Sequence, residues 1–139
     1  MENVKVKITT IQTVDEAGNE DIIELVTEAT LDRIDEYFII NYDESHLTEN
    51  KGSRTRLKIF KNKMIMTKIG PYSSRMEFQE EKSSSNLYTT PYGTFDLDFA
   101  TVVYNYLLDE HGKGEVYVEY RINLGNAGEN YNKLKIDIF

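Results

Sequence analysis

Apolar and polar residues alternate with a period of two along most of this chain. The first run comprises Val4, Val6 and Ile8, which are separated by lysines. Similar runs occur at residues 56–59, 75–78, 94–99, 116–124 and 133–138. Because successive side chains of a β-strand point to opposite faces of a sheet, this period predicts strands with one buried face. The chain is therefore predicted to consist mainly of β-structure.

Turn-forming residues separate the alternating runs at short intervals. The turn sites are Ala17–Asn19, Phe60–Met64, Gly70–Pro71, Pro91–Gly93, Gly112–Gly114 and Asn126–Gly128. In the second of these, Asn62 is predicted to take the left-handed backbone conformation that a two-residue hairpin loop demands. Short strands separated by turns at this density indicate an antiparallel sandwich or barrel.

Two segments fit a helical pattern as well as a strand. In residues 21–34 the apolar positions suit one face of a helix, and the pattern alone leaves the choice open. In residues 99–108 the spacing is also helical, and Gly112 would serve as the stop. The strand-forming residues Val102, Val103 and Tyr104 weigh against a helix in this second segment.

The size and composition of the chain restrict its organisation and its partners. Its 139 residues suit one domain, predicted to span residues 1–139. It contains no cysteine, which excludes disulfides and thiolate metal sites. Its 24 acidic and 16 basic residues give a net charge of -8, which argues against binding to nucleic acid. No run resembles a signal peptide or a membrane span, so a cytoplasmic location without a membrane partner is expected.

No group of residues has the pattern of a catalytic or metal site. The two histidines, His46 and His111, lie in separate turn regions and are expected to be solvated. Asp96 and Asp98 alternate with apolar residues and are best explained as the outer face of a strand. The acidic loop Asp15–Asp21 lacks the ligand spacing of an EF-hand. We therefore predict no enzymatic activity, no metal and no cofactor.

Aromatic residues concentrate in the second half of the chain. The cluster consists of Tyr88, Tyr92, Phe95, Phe99, Tyr104, Tyr106, Tyr117 and Tyr120. One interpretation is an ordinary aromatic core, in which buried tyrosines find hydrogen-bond partners among nearby threonines. The other is the mouth of a barrel, lined by amphipathic side chains that hold a small ligand. The pattern leaves both open.

The segment Tyr88–Gly93, with the sequence Tyr-Thr-Thr-Pro-Tyr-Gly, is the most distinctive motif. It resembles the Tyr-x-Thr-Pro-Tyr-Gly signature of the YwiB-like bacterial family, whose function is unknown and whose fold is a calycin-like, lipocalin-type β-barrel. Tyr42–Ser45 and Thr55–Ile59 are similar to two further elements of that family. The resemblance implies a single antiparallel barrel of about 8–10 strands, in which both ambiguous segments are strands. It implies no reaction.

The signature also has a structural explanation. Pro91 fixes its own backbone angle and biases Thr90 towards an extended conformation. Gly93 permits a positive φ, so the segment is predicted to form a tight corner between two strands. Two positions depart from the family: Lys68 stands in place of an expected arginine, and Ala29 lies near an expected glycine. Lysine cannot bind an anion in a bidentate manner, so no anion site is expected at this position.

These observations lead to two hypotheses for function. The first is a small protein that binds an apolar or amphipathic ligand inside the barrel. The residues predicted to line that site are Tyr88, Thr90, Tyr92, Thr101 and Tyr120. The second is a protein–protein interaction or structural module whose barrel is filled by its own side chains and which acts through its surface or as a homodimer. An interior cavity of roughly 300 Å³ or more would favour ligand binding.

Overall fold

The fold is described from a computed structural model for residues 1–13, 20–43, 53–70, 73–123 and 129–139. For residues 84–88, 90, 95–97, 123 and 129 this description covers the backbone alone. His46, residues 15–19 of the acidic loop and the turns predicted at 17–19 and 126–128 lie outside the described residues. Within the described ranges there is no helix, and hence none that could cross a membrane.

The described residues form ten β-strands. Their bounds are β1 Glu2–Thr13, β2 Glu20–Ile34, β3 Tyr37–Asp43, β4 Arg54–Ile59, β5 Lys63–Ile69, β6 Ser74–Gln79, β7 Ser83–Thr90, β8 Gly93–Leu108, β9 Gly114–Asn123 and β10 Glu129–Ile138. The strands make one antiparallel sheet with the order β6-β5-β4-β3-β2-β1-β10-β9-β8-β7. The first and last strands pair in the middle of this order, Val6 lying opposite Ile138. The predicted all-β antiparallel barrel is confirmed.

The two edges of the sheet, β6 and β7, approach each other and nearly close the barrel. Ser73, just before β6, exchanges two backbone hydrogen bonds with Thr89 of β7, of 2.9 and 3.0 Å. Connections between consecutive antiparallel strands alternate between the two ends of a barrel. The β2–β3, β4–β5 and β8–β9 turns therefore lie at one end, which we call the cleft end, and the Pro91–Gly93 corner lies at the other.

Side chains fill the middle of the barrel, because alternate residues of each strand point inward. The largest fully buried apolar side chains are Val6, Ile40, Leu57, Ile59, Met64, Phe78, Val116, Val118, Ile136 and Ile138. They belong to one contiguous hydrophobic cluster. The period-two pattern of the sequence thus corresponds to the inner and outer faces of the strands.

Both segments that also suit a helix are strands, β2 and β8. In β8 a β-bulge between Thr101 and Val103 inserts one extra residue relative to β9. Phe99 and Thr101 are buried before the bulge and Tyr104 is buried after it, while Val102 is 37% exposed. The bulge moves the buried positions from odd to even numbers, so this segment does not keep a single period of two.

Two predictions about turns have different outcomes. The signature corner is confirmed, because Gly93 has a φ of 140° and pairs with Thr90 directly across the turn. The hairpin after Ile59 is also present, but the left-handed conformation predicted for Asn62 is wrong. Among described residues other than glycine, positive φ occurs at Asp35 and Glu81.

A contact from outside the hairpin explains the geometry of the β4–β5 turn. The Phe60 N–H donates to the Lys63 carbonyl at 2.8 Å. The hydroxyl of Tyr104 lies 2.7 Å from the carbonyl oxygen of Phe60 and 2.9 Å from that of Lys63. Both turn carbonyls are therefore oriented by a residue of β8, which local turn preferences do not include.

Candidate functional site

A row of three polar side chains crosses the inner wall of the barrel on β8, β9 and β10. Thr101 lies opposite Tyr120, and Tyr120 lies opposite Asn132, in the register of the sheet. The exposed fractions of the three residues are 3%, 7% and 1%. Directly opposed residues have Cβ atoms roughly 4.5–5.5 Å apart, so these side chains are neighbours. We call this set the polar row.

Strand alternation places the polar row inside the barrel. Tyr120 shares its face of β9 with Val116 and Val118, and Asn132 shares its face of β10 with Leu134 and Ile136; all six are buried. On the inner wall of the barrel, the polar row is therefore the neighbour of rows of apolar side chains. Polar residues at core positions are unusual, and each needs a hydrogen-bond partner to offset its loss of hydration.

That partner is missing for two members of the row. Thr101 Oγ1 and both side-chain amide atoms of Asn132 are buried and have no hydrogen-bond partner among the described residues. An unsatisfied buried polar group costs about 1–3 kcal/mol, and native proteins satisfy the great majority of such groups. Burial raises the pKa of Tyr120 to about 12, so the row carries no charge at neutral pH.

Aromatic rings border the polar row. The ring of Phe78 on β6 lies 4.8 Å from that of Tyr120 and 5.5 Å from that of Phe99 on β8, measured between centroids and in tilted orientations. These spacings are typical of favourable aromatic pairs. The polar row thus adjoins an aromatic surface contributed by β6, β8 and β9.

A second feature is a cleft with a volume of about 590 Å³ at the cleft end of the barrel. Phe38, Tyr106 and Leu108 line it from the strands, and the β2–β3, β4–β5 and β8–β9 turns form its rim. The rim carries four acidic side chains and two basic ones: Asp35, Glu36, Asp109, Glu110, Arg33 and Lys61. The cleft therefore combines an apolar and aromatic floor with a charged, mainly acidic rim.

Aromatic and cationic contacts order the walls of the cleft. The rings of Tyr37 and Phe60 stack with their centroids 4.6 Å apart. The Arg33 guanidinium lies 5.9 Å from the centroid of the Phe38 ring and donates to the Glu110 carbonyl at 3.4 Å. Burial raises the pKa of Tyr106, and the charge of Arg33 opposes that effect, so the Tyr106 hydroxyl is neutral at physiological pH.

The β8–β9 turn gives the cleft a preformed wall. Asp109 Oδ1 accepts hydrogen bonds from the backbone N–H groups of His111 at 2.8 Å and Lys113 at 3.0 Å. The bond from Lys113 is the main cause that lowers the pKa of Asp109. Gly112 has a φ of 79°, and a Cβ there would come within 2.8 Å of the Phe38 ring. The turn thus lies directly against the cleft floor.

The structure separates the residues that the sequence predicted as ligand-lining. Thr101 and Tyr120 lie side by side in the polar row, whereas Tyr92 is 88% exposed at the signature corner. Tyr88 and Thr90 lie on β7, where the backbone alone is described. The cleft lining among the described side chains does not include Tyr92, Thr101 or Tyr120. The cleft lies about five residues further along β8 than Thr101, roughly 15 Å at the usual strand rise.

Sequence reasoning missed most of the cleft. Tyr106 belonged to the recognised aromatic cluster, but Phe38 and Phe60 carry no motif. A topological signal was available: alternate hairpin turns of an antiparallel barrel share one end. The turns after Ile34, Ile59 and Leu108 could have been grouped on that basis.

The described residues offer no metal centre. No group of three or more histidine, aspartate or glutamate side chains in the described ranges is arranged to hold a metal ion. His111 is exposed and lies 3.5 Å from the carboxylate of Glu110. Its environment is that of a solvated turn residue, as the sequence predicted.

The fold, the open end and the packed middle define the class of this protein: a small calycin-like antiparallel β-barrel. More particularly, the chain belongs to the family of the domain of unknown function DUF1934, whose profile matches residues 6–136. The resemblance drawn from the signature segment is thereby confirmed. A search of curated proteins gives no match.

The barrel is also similar to a solved structure, the crystal structure of the ywiB protein from Bacillus subtilis. The similarity covers 97% of this chain and 90% of that chain, with a TM-score of 0.74 and 14% sequence identity. At this level of identity the comparison shows a common fold and nothing about function.

Proposed function

We propose that this protein binds a small amphipathic molecule in the cleft. The observation that carries the proposal is the cleft volume of about 590 Å³. Small-molecule sites typically have volumes of about 300–1,000 Å³, with apolar linings and a few polar groups. The sequence-based expectations of a cytoplasmic location and of binding without catalysis are part of this proposal.

The lining indicates which parts of a ligand would bind where. An apolar or aromatic body would pack on Phe38, Tyr106 and Leu108, which line the cleft from the strands. A polar head would remain at the rim, where Asp35 and Glu36 favour a neutral or cationic group over an anion. The proposed ligand is therefore amphipathic and not an anion.

An interaction module is the second candidate function, supported by a different observation. The middle of the barrel is packed with its own side chains, and β2 presents apolar residues to solvent. Ile22, Ile23 and Val26 are 62%, 57% and 52% exposed. Exposed apolar patches often mark protein–protein contacts, including those of homodimers. This alternative predicts a stable complex without a small molecule.

Native mass spectrometry of the protein purified from its own host tests both candidates. We expect a monomer that carries the additional mass of a small molecule. Asn62→Trp, at the cleft rim, is expected to lose most of that mass, since an indole would occupy part of the cleft. Asn105→Trp, on the exposed face of β8, is the matched control and should retain it. A dimer without additional mass would contradict the proposal and support the interaction module.

A further inference from the structure

Four aromatic rings line the cleft. Phe38 and Tyr106 line it from the strands, and the stacked rings of Tyr37 and Phe60 lie beside the β2–β3 and β4–β5 turns. The face of an aromatic ring carries partial negative charge and attracts cations, most strongly where water is excluded. The lining therefore suits a positively charged group that also has apolar surface.

Cationic side chains of the protein already lie over two of these rings. The Arg33 guanidinium is 5.9 Å from the centroid of the Phe38 ring, and the Lys63 ammonium is 5.2 Å from that of the Phe60 ring. Both distances are within the range of about 6 Å for cation–π contacts. Among the described residues, no second ring and no cation packs on Tyr106, which also lines the cleft. Tyr106 thus offers a ring that the described chain leaves to a ligand.

Carboxylates around the rim favour the same charge. Asp35 and Glu36 belong to the β2–β3 turn, on one side of the cleft. Asp109 and Glu110 belong to the β8–β9 turn, where two backbone N–H groups of the turn hold the Asp109 carboxylate in place. These four groups outnumber the two basic side chains of the rim, and the net charge of -8 on the whole chain acts in the same direction.

The ring of Tyr106 and the rim carboxylates are close enough to act on one ligand group. The charges of Arg33 and Asp109 both influence the pKa of Tyr106, in opposite directions, so both side chains lie near its hydroxyl. A positive group placed on the Tyr106 ring would therefore also interact with the acidic rim. An apolar body attached to that group would extend over Phe38 and Leu108.

We propose that the cleft binds a free amphipathic molecule whose head is an alkylated ammonium group, and that Tyr106 determines the preference for this head. The proposal rests on the function proposed for the cleft and names its ligand class. An alkylated ammonium presents its charge through apolar methyl groups, so it packs on a ring without needing a hydrogen-bond acceptor. A primary ammonium would leave N–H groups unpaired against the same ring.

Arg33 is an internal competitor for such a head. Its side chain is exposed, and its hydrogen bond to the Glu110 carbonyl is long at 3.4 Å, so the guanidinium is held weakly. Its positive charge repels a cationic ligand, and it lies over the Phe38 ring. Arg33→Gln is therefore expected to strengthen binding of a cationic ligand about three- to tenfold and to leave a neutral one unaffected.

The first test compares two ligands of the same shape by ¹H–¹⁵N NMR titration. The neutral probe is para-tert-butylbenzyl alcohol, and the cationic probe is its analogue with trimethylammonium in place of the tert-butyl group. We expect both probes to shift the amide resonances of Glu36, Tyr106 and Gly112, and the cationic probe to bind about tenfold more tightly. Transfer of apolar surface alone predicts the opposite order, so the sign of the difference is decisive.

The second test uses variants of the ring and of the rim. Tyr106→Leu is expected to abolish the preference for the cationic probe while binding of the neutral probe persists, and Tyr106→Phe, which keeps the ring, should retain the preference. Glu36→Gln should weaken binding of the cationic probe alone, by about two- to fivefold. Glu24→Gln is the matched control, because it makes the same change of charge on an exposed part of β2 outside the cleft.

Alkylated ammonium groups occur in free molecules and in lipid headgroups, and a third measurement separates these sources. We expect the protein to remain in solution when it is mixed with phosphatidylcholine vesicles and centrifuged in a flotation gradient. Flotation with the vesicles that is lost in Tyr106→Leu would assign the head to a lipid and overturn the assignment to a free molecule.

The failure of this inference differs from the failure of the cleft function. Binding of the neutral probe as tightly as the cationic one, or an unchanged preference in Tyr106→Leu, would overturn the inference and leave the cleft as a binding site. Cleft resonances that neither probe shifts would contradict both.

Discussion

Single side chains decide how the barrel closes around its core. Tyr104 spans from β8 to the β4–β5 turn, where its hydroxyl lies within hydrogen-bond distance of the Phe60 and Lys63 carbonyls. The alternation of β8 predicts an aromatic residue in the core, but not the turn that its hydroxyl meets. Contacts between residues 41 and 44 positions apart depend on the register of several strands, which no local pattern contains.

Removal of the Tyr104 hydroxyl is expected to destabilise the barrel. Tyr104→Phe keeps the ring but removes the single hydroxyl proton that the Phe60 and Lys63 carbonyls share, so the free energy of unfolding should fall by about 1–3 kcal/mol. Tyr106→Phe is the control, because the Tyr106 hydroxyl makes no hydrogen bond with the described residues. Urea unfolding measures both, and equal changes would contradict the role assigned to Tyr104.

Because of Tyr120, the stability of the folded protein is expected to depend on pH in the alkaline range. Burial raises its pKa from 10.0 in the unfolded chain to about 12 in the folded one. The folded protein therefore releases the Tyr120 hydroxyl proton at a higher pH than the unfolded chain does. The resulting contribution to the free energy of unfolding is complete below pH 10 and is lost as the pH rises towards 12. Tyr120→Phe is expected to lose stability less steeply over this range in pH-dependent urea unfolding. A slope equal to that of the natural protein would contradict this assignment.

At the level of strands, the sequence predicts the regular strands but not the features that interrupt their alternation, such as a β-bulge or a buried polar side chain. Regular alternation identified β1, β4, β9 and β10, because each buries one uniform face. β8 was ambiguous, since a bulge after Thr101 changes its buried face midway. The polar row was partly predicted through Thr101 and Tyr120. Asn132 was missed, because an asparagine among lysines gives no signal of burial.

The signature corner is expected to stabilise the β7–β8 hairpin. Gly93 has a φ of 140°, which residues with a Cβ rarely adopt, so Gly93→Ala should lower the free energy of unfolding by about 1–3 kcal/mol. Pro91→Ala affects mainly the entropy of the unfolded chain and should cost less, about 0.4–1 kcal/mol. Thermal and urea unfolding measure both changes. A Gly93→Ala variant as stable as the natural protein would show that the corner is not a structural constraint.

The whole molecule combines a packed barrel interior with a cleft at one end and the signature corner at the other. Antiparallel pairing of consecutive strands brings three turns together around the cleft and places the signature corner at the opposite end. Sequence reasoning anticipated a barrel mouth but placed its lining near the signature. Proximity along the chain suggested that location, whereas the cleft is assembled from residues 33 to 110, which only the closed sheet brings together.

A crystal structure of the protein purified from its own host, without added ligands, would show whether the cleft holds a small molecule. We expect electron density for a small organic molecule in the cleft, in contact with Phe38 and Tyr106, with its polar end towards the rim. Ordered water alone in the cleft, together with a homodimer built on the apolar residues of β2, would contradict it.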